Sequence, residues 1–459
     1  MIGLDDLWKA SKFAEEGEYE RAWKIVDEAL YEDPNRTPAL VLASFIAEKE
    51  GHYGRAYNYA KRCTQVAPTE GAGWINLGRC CDWMWKTDEA DAAFRKALAV
   101  VPDDKSKALV YLNLSSIWAQ QGKFRKAQDY AEKSLELNPD SSKAKHNLGM
   151  CQLAFGDWSD GWKNYSASVG TSANRLQVKY ADEVQWKGES DGPVVIYGEQ
   201  GIGDEINAAS MFPDAIERAE RVIIETDPRL AGLWKRSFPK AKIYGTRGRR
   251  NVAWDEEDRN PKYSMSALQL GELFRPTPET CPGSAFLVAD PERVMMWHAL
   301  WASKRKPTVG IAWTGGTRNT AQHTRQWKLD ELRPLFDAVD ANWVSLEYKD
   351  AGNLAGTPIV QYPNGTLTKD YDDTAALVKS LTCVVSMQTS VIHLAGGLGV
   401  PCAVGLPHTS QWRYGMSGET MPFYSSVRLF RQKDGQTWSP VIKNISEWLK
   451  TNVGYGWAK

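Results

Sequence analysis

No window of this sequence approaches about 18 uninterrupted apolar residues, and its opening, MIGLDDLWKASKFAEEGEYE, has acids where a secretory leader needs an apolar core. A membrane-spanning or exported chain is therefore not expected, and the sequence reads as cytoplasmic. Charge of one sign is missing too. Fifty-six Lys and Arg meet 57 Asp and Glu, a formal net charge of -1, so no overall field draws the chain to nucleic acid or to an anionic membrane. The seven cysteines show no C-x-x-C spacing, which argues against a disulfide frame or a zinc site and for small buried thiols. A last absence is local. The stretch GEQGIGDE, Gly198 to Glu205, has Ile206 where a dinucleotide fingerprint needs its third glycine, so a simple NAD loop is not expected.

What is present is an ordinary globular composition, 459 residues with 42% hydrophobic and 25% charged, enough for two or three domains. The first third is periodic. Pro34, Pro68, Pro102 and Pro139 recur at spacings of 34, 34 and 37 residues. Gly17, Gly51, Gly122 and Gly156 mark the ends of first helices, and Ala22, Ala56, Ala90, Ala127 and Gly161 follow five residues on. A small residue at that place lets two helices approach closely. The segments WINLGRC, YLNLSSIWAQQGKFRKAQDYAEKSLELNP and HNLGMCQLAFGDW resemble tetratricopeptide repeats, about four full copies and a divergent fifth over residues 4 to 168. The resemblance implies stacked helix pairs with a concave inner surface. Asn76, Asn113 and Asn147, each followed by Leu, share the register that faces the groove in such repeats. They are expected either to bond the backbone of an extended acceptor or to bond between neighbouring helices.

Beyond residue 170 the pattern becomes α/β. Strand-like runs at 194–197, 222–225 and 242–244 alternate with helical segments at 204–219 and 228–237, and a second set at 308–313, 343–348, 383–387 and 402–406 follows. This alternation predicts two Rossmann-like halves with parallel sheets, separated by the Pro-rich linker 274–293. The expected organisation is a repeat domain at 1–168, a first α/β domain at 169–285 and a second at 286–459.

Four motifs in order, GEQGIGD (198–204), VGIAWTGG (309–316), TSVIHLAGGLGVP (389–401) and FYSSVRLFRQ (423–432), resemble the repeat-linked branch of glycosyltransferase family 9, relatives of the ADP-heptose:lipopolysaccharide heptosyltransferases. The likeness covers residues 185 to 458. It implies a GT-B pair of domains behind an α-solenoid, with an acceptor on the first and a nucleotide-sugar donor on the second. Asp204 matches the family's general base and His393 its second catalytic position. Gln200, Gly201 and Gly203 would line the acceptor side. The donor would meet Trp313, Gly315, Arg318, Arg325, Lys328, Glu347, Gln388, Thr389, Ser390 and His393.

The same residues have plainer uses. Asp204 could serve as a helix-cap acid; exchange for Asn keeps the cap geometry and should leave the melting temperature almost unmoved, with transfer lost if Asp204 is the base and kept if it is only a cap. His393 could be a packing histidine, and the cations after VGIAW a solvated cluster. Related sequences carry Asp where this one has Gln388, directly before Thr389. Asp370-Tyr371-Asp372 spells D-x-D but precedes a helical run and reads as a capping turn, so no metal is expected and the leaving diphosphate is assigned to cations. The expected function is inverting sugar transfer from a nucleotide sugar, with the repeats selecting a protein, peptide or glycan acceptor. The alternative is an interaction scaffold whose GT-B module binds nucleotide without transferring sugar.

Overall fold

The computed structural model describes residues 2–171, 175–247, 254–317 and 320–454. The chain divides into two compact units, Met1–Leu148 and Gly149–Lys459.

The first unit consists of successive helix pairs. Its helices are α1 (Leu4–Glu15), α2 (Tyr19–Glu32), α3 (Thr37–Lys49), α4 (Tyr53–Val66), α5 (Gly71–Trp83), α6 (Thr87–Val100), α7 (Asp104–Gln120) and α8 (Phe124–Leu137); the unit boundary falls within α9 (Ser142–Phe155). Within a repeat the turn between helices needs one left-handed residue, and Gly17, Gly51 and Gly122 supply it at φ 84°, 80° and 65°. In the third repeat the slot falls to Trp85 at φ 60°, a conformation a side chain adopts at some steric cost. Ala22, Ala56, Ala90 and Ala127 are fully buried, as close helix approach requires. Leu7, Val26 and Ile46 form one part of the core, and Ile75, Phe94, Val110 and Leu114 another.

The second unit opens with the end of α9 and with α10 (Trp158–Ser166), and continues as two sheets. In the first sheet the strands are β1 (Val184–Gln185), β2 (Pro193–Tyr197), β3 (Arg221–Glu225), β4 (Lys242–Tyr244) and β5 (Tyr263–Ser266), ordered β1-β5-β2-β3-β4 and all parallel. The helix expected at 204–219 is two, α11 (Ile202–Ala209) and α12 (Phe212–Arg218), with Pro213 in the first turn of the second. Then come α13 (Ala231–Ser237), α14 (Leu270–Phe274) and α15 (Pro291–Lys304).

The second sheet contains β6 (Thr308–Ala312), β7 (Asn342–Ser345), β8 (Ile359–Val360), β9 (Cys383–Met387), β10 (Cys402–Leu406), β11 (Thr420–Met421) and β12 (Tyr424–Arg431). Their order is β11-β12-β10-β9-β6-β7-β8, parallel except for β11. Its helices are α16 (Arg333–Ala338), α17 (Pro363–Thr366), α18 (Tyr371–Lys379), α19 (Ser390–Gly397) and α20 (Ser439–Leu449). Strands buried on both faces read as continuous apolar runs, and β2, β6, β9 and β10 do so. Six of the seven cysteines are buried and none forms a disulfide.

In each sheet the chain reverses its direction of travel beside a central strand. The first winds from β2 to β3 and β4, then returns to place β5 on the other side of β2. The second winds from β6 to β7 and β8, then returns to place β9 beside β6. Loops leaving the carboxyl ends of strands at such a reversal splay apart and leave a crevice.

Candidate active-site cleft

A cleft of about 540 Å³ opens at these reversals, lined by Gly201, Gly203 and Asp204 after β2, by Thr314 and Gly316 after β6, and by Gln388, Thr389 and Ser390 after β9. The first turns of α11 and α19 meet there closely. A methyl group on Gly203 would lie 3.3 Å from both Cδ2 of His393 and Cα of Ser390, so the glycine permits the approach.

Asp204 is the third residue of α11, and its Oδ2 accepts the Gly201 N–H at 3.1 Å. That contact is the helix-cap role. Its Oδ1 accepts from Nη2 of Arg413 at 2.5 Å, a partner 209 residues away that nothing local in the sequence marks. Arg413 is buried, donates through Nη1 to Gln411 and lies over the Trp412 ring.

His393 is buried on α19 with Nδ1 3.1 Å from the Tyr424 hydroxyl. Burial, reinforced by the nearby Arg413, holds its imidazole well below the ordinary histidine range, so it is neutral at pH 7. Thr389 caps α19, its Oγ1 accepting the Val391 N–H at 3.2 Å. The Ser390 hydroxyl lies 3.3 Å from that of Tyr371. Gln388 is buried, and neither its Oε1 nor its Nε2 has a partner.

Arg325 lines the cleft at 8% exposure, without a carboxylate partner among the described residues and with Nε unbonded. Burial lowers its pKa from the usual guanidinium value. The site thus gathers the unpaired Arg325, two paired cations, Arg413 with Asp204 and Arg229 with Asp227, a neutral imidazole and two helix N-termini. Dipoles and guanidinium groups so arranged attract an anion with several oxygens.

Several expectations need correction. Trp313 is not in the cleft lining; it directly follows β6, whose last residue Ala312 borders the cleft, and its ring lies in the core cluster with Trp327 and Trp343. Glu347 borders the cleft, but its Oε1 accepts the N–H groups of Trp313 and Thr314, both at 2.8 Å, which fixes the loop after β6; burial raises its pKa against those two bonds. Gly315 packs on the chain, where a methyl would lie 2.4 Å from the Gln388 carbonyl oxygen. Lys328 is exposed and outside the lining. Arg318 lies outside the described residues. The Gln200 side chain, on a residue at φ 60°, donates to the Tyr165 hydroxyl at 2.9 Å instead of facing the cleft.

In the repeat unit, Asn76 donates to the Val41 carbonyl at 3.0 Å and Asn147 to the Ser116 hydroxyl at 2.9 Å. Both amides therefore bond within the stack, while Nδ2 of Asn113 has no partner. Asp370 caps α18 and pairs with Arg293, and Asp372 pairs with Arg236. The D-x-D residues are committed to arginines, and no cluster of metal-ligating side chains occurs among the described residues.

Residues 108–141 match the family model described as tetratricopeptide repeat. The chain is 28% identical over 449 residues to Protein FlbA of Caulobacter vibrioides, an alignment covering 83% of this chain and 73% of that protein. It is 28% identical over 136 residues to Protein O-mannosyl-transferase TMTC1 of Mus musculus, covering 29% of this chain and only 14% of that protein. Among solved structures, a thermophilic TPR protein of Thermus thermophilus superposes with a TM-score of 0.33 at 19% identity, over 37% of this chain and 91% of that one. No described helix is long and apolar enough to cross a membrane.

Proposed function

We propose that the second unit is a GT-B type glycosyltransferase module and that the repeats select its acceptor. One observation carries the reading: the cleft at the two chain reversals brings a carboxylate, Asp204, from the first sheet opposite Arg325, Arg413, His393 and the N-terminus of α19 from the second. A nucleotide sugar would rest its diphosphate on those groups. Thr389, Ser390 and, after rotation, the amide of Gln388 are available to its remaining oxygens.

In the reaction the acceptor hydroxyl oxygen attacks the anomeric carbon from the side opposite the diphosphate. A carbon–oxygen bond forms there, the bond to the phosphate oxygen breaks, and the nucleoside diphosphate leaves with the electron pair. Asp204 takes the hydroxyl proton. Arg413 shares its charge between Asp204 and the departing oxygens, so donor binding loosens its hold on the base. Cations alone offset the leaving charge, and this reading requires no metal. The partial likeness to TMTC1, whose name states O-mannosyl transfer, agrees with a link to sugar transfer.

A second reading is favoured by the engagement of both Asp204 oxygens and by the neutral Gln388: a scaffold that binds nucleotide and transfers nothing. Thermal shift with UDP-, GDP-, ADP- and CMP-sugars, followed by release of nucleotide from whichever stabilises the protein, tests both. Stabilisation with Asp204-dependent turnover is expected. Stabilisation without turnover favours the scaffold, and no stabilisation by any nucleotide sugar removes the transferase reading.

A further inference from the structure

Tyr424, on β12, is fully buried, and its ring is wedged against α19 where a methyl on Gly396 would lie 2.3 Å from the ring. Its hydroxyl has two neighbours. Nδ2 of Asn207, a residue of α11 at 1% exposure, donates to it at 3.3 Å. Nδ1 of His393 lies 3.1 Å away on the other side.

A phenol has one proton to give and two lone pairs to offer. The Asn207 N–H occupies a lone pair, so the phenolic proton is directed to the remaining neighbour, the Nδ1 lone pair. An imidazole that accepts at Nδ1 carries its own proton on Nε2. Among the described residues Nε2 has no protein partner, and His393 lines the cleft. The charged and titratable groups around the ring are Arg413, Tyr414 and Tyr424. Burial and Arg413 oppose a second proton.

We infer that Asn207 and Tyr424 are positioning residues that hold His393 as the neutral Nε2–H tautomer and so present one fixed hydrogen-bond donor to the cleft. The pair joins the two sheets: Asn207 belongs to the helix that carries Asp204, and Tyr424 to the strand beside β10. The donor is therefore set only when the two halves are together. That this N–H meets a diphosphate oxygen rests on the transferase reading; the tautomer does not.

The test uses the full chain labelled with ¹⁵N histidine, without nucleotide. Long-range ¹H–¹⁵N correlation spectra at pH 7 should show a pyridine-type Nδ1 and a pyrrole-type Nε2 for His393, identified by its loss in His393→Gln. In Asn207→Asp the carboxylate captures the Tyr424 proton, the phenolic oxygen then accepts from Nδ1–H, and the tautomer should invert. In Tyr424→Phe, which removes one oxygen only, the pure pattern should become a mixture, and affinity for inorganic pyrophosphate should fall in proportion to the donor tautomer lost, about 2-fold for an even mixture. A wild-type Nδ1–H tautomer or an imidazolium at pH 7 overturns the inference. So does an unchanged pure Nε2–H spectrum in Tyr424→Phe, which decides the matter should Asn207→Asp not fold. Unchanged pyrophosphate affinity beside the expected spectra would leave the tautomer standing and count against the diphosphate assignment.

Discussion

Asp204 and Arg413 form an ion pair at 2.5 Å that ties the first turn of α11 to the loop after β10. The carboxylate is 20% exposed and the guanidinium 7%, so the pair lies at the inner wall of the cleft. A base held in this way is oriented, and it becomes available when another anion competes for Arg413.

Exchange of Asp204 for Asn should therefore have two effects. Transfer should fall on the order of 100-fold or more, the usual share of a general base. Stability should fall as well, by about 1–2 kcal/mol, because one amide oxygen can accept from Arg413 or from the Gly201 N–H but not from both. The cap role alone predicts no such loss, and here the structure changes the expectation drawn from sequence. Adding Arg413→Gln should return part of the lost stability without returning activity. Calorimetric melts of the single and double variants check this; strictly additive destabilisation would separate the two residues.

What the sequence disclosed and concealed follows physical lines. The turn glycines at 34-residue spacing were visible because a left-handed residue is nearly always glycine, and the same slot at Trp85 was hidden because its side chain masks the pattern. The apolar strands of both sheets stood out as continuous runs. Strand β5 did not, since Ser264 and Ser266 are buried there through bonds to Glu183 and Glu199. Asp204 and His393, both of which line the cleft, stand within motifs legible in the sequence. Arg413, Tyr424 and Asn207 acquire their roles only through contacts across 209, 31 and 217 residues. The Trp313 assignment failed because residues at a strand's end alternate between cleft and core.

His393 gives the protein a pH dependence of known sign. Its native pKa is depressed by burial and then by Arg413, whereas in the unfolded chain it titrates near about 6.5. Between those values the unfolded chain holds a proton that the native one refuses. Stability from this group is complete above about pH 6.5 and is lost as pH falls toward the native value. His393→Gln should flatten the acid limb by up to about 1.4 kcal/mol per pH unit. Unfolding free energies of both proteins from pH 7 to 5 supply the comparison; parallel limbs would mean that the ring protonates freely in the native state.

Arg325 should show opposite effects on stability and binding. A buried guanidinium without a counter-ion costs the empty protein free energy, and burial already lowers its pKa. Arg325→Met keeps much of the volume and removes the charge, so the free protein should gain about 1 kcal/mol while pyrophosphate affinity falls at least 10-fold, about 1.4 kcal/mol. Titration calorimetry beside a denaturant melt reads both. A variant that is less stable and binds equally well would make Arg325 a packing residue.

Helix α10 carries the register of a repeat but is packed as a part of the α/β unit. The Trp162 indole donates to the Arg275 carbonyl at 3.0 Å and lies on Gly271, where a methyl would come within 2.3 Å of the ring. On the other side it meets Trp412 edge to face at 5.3 Å, while Trp158 stacks on Phe423 at 5.3 Å. One helix thus covers apolar surface belonging to both sheets. Trp162→Ala should cost about 3–5 kcal/mol, as for other fully buried aromatics. Gly271→Ala should destabilise too, because its added methyl meets a ring that cannot withdraw. For the same reason, a fragment beginning at Gly149 should be monomeric and bind pyrophosphate like the whole chain. One beginning at residue 170 lacks α10, exposes Trp412 and Phe423 together, and should associate through that patch. Size-exclusion chromatography with a thermal melt distinguishes them. If the shorter fragment stays monomeric and melts at the same temperature as the longer, α10 is a passive end of the repeats rather than a clamp on the cleft.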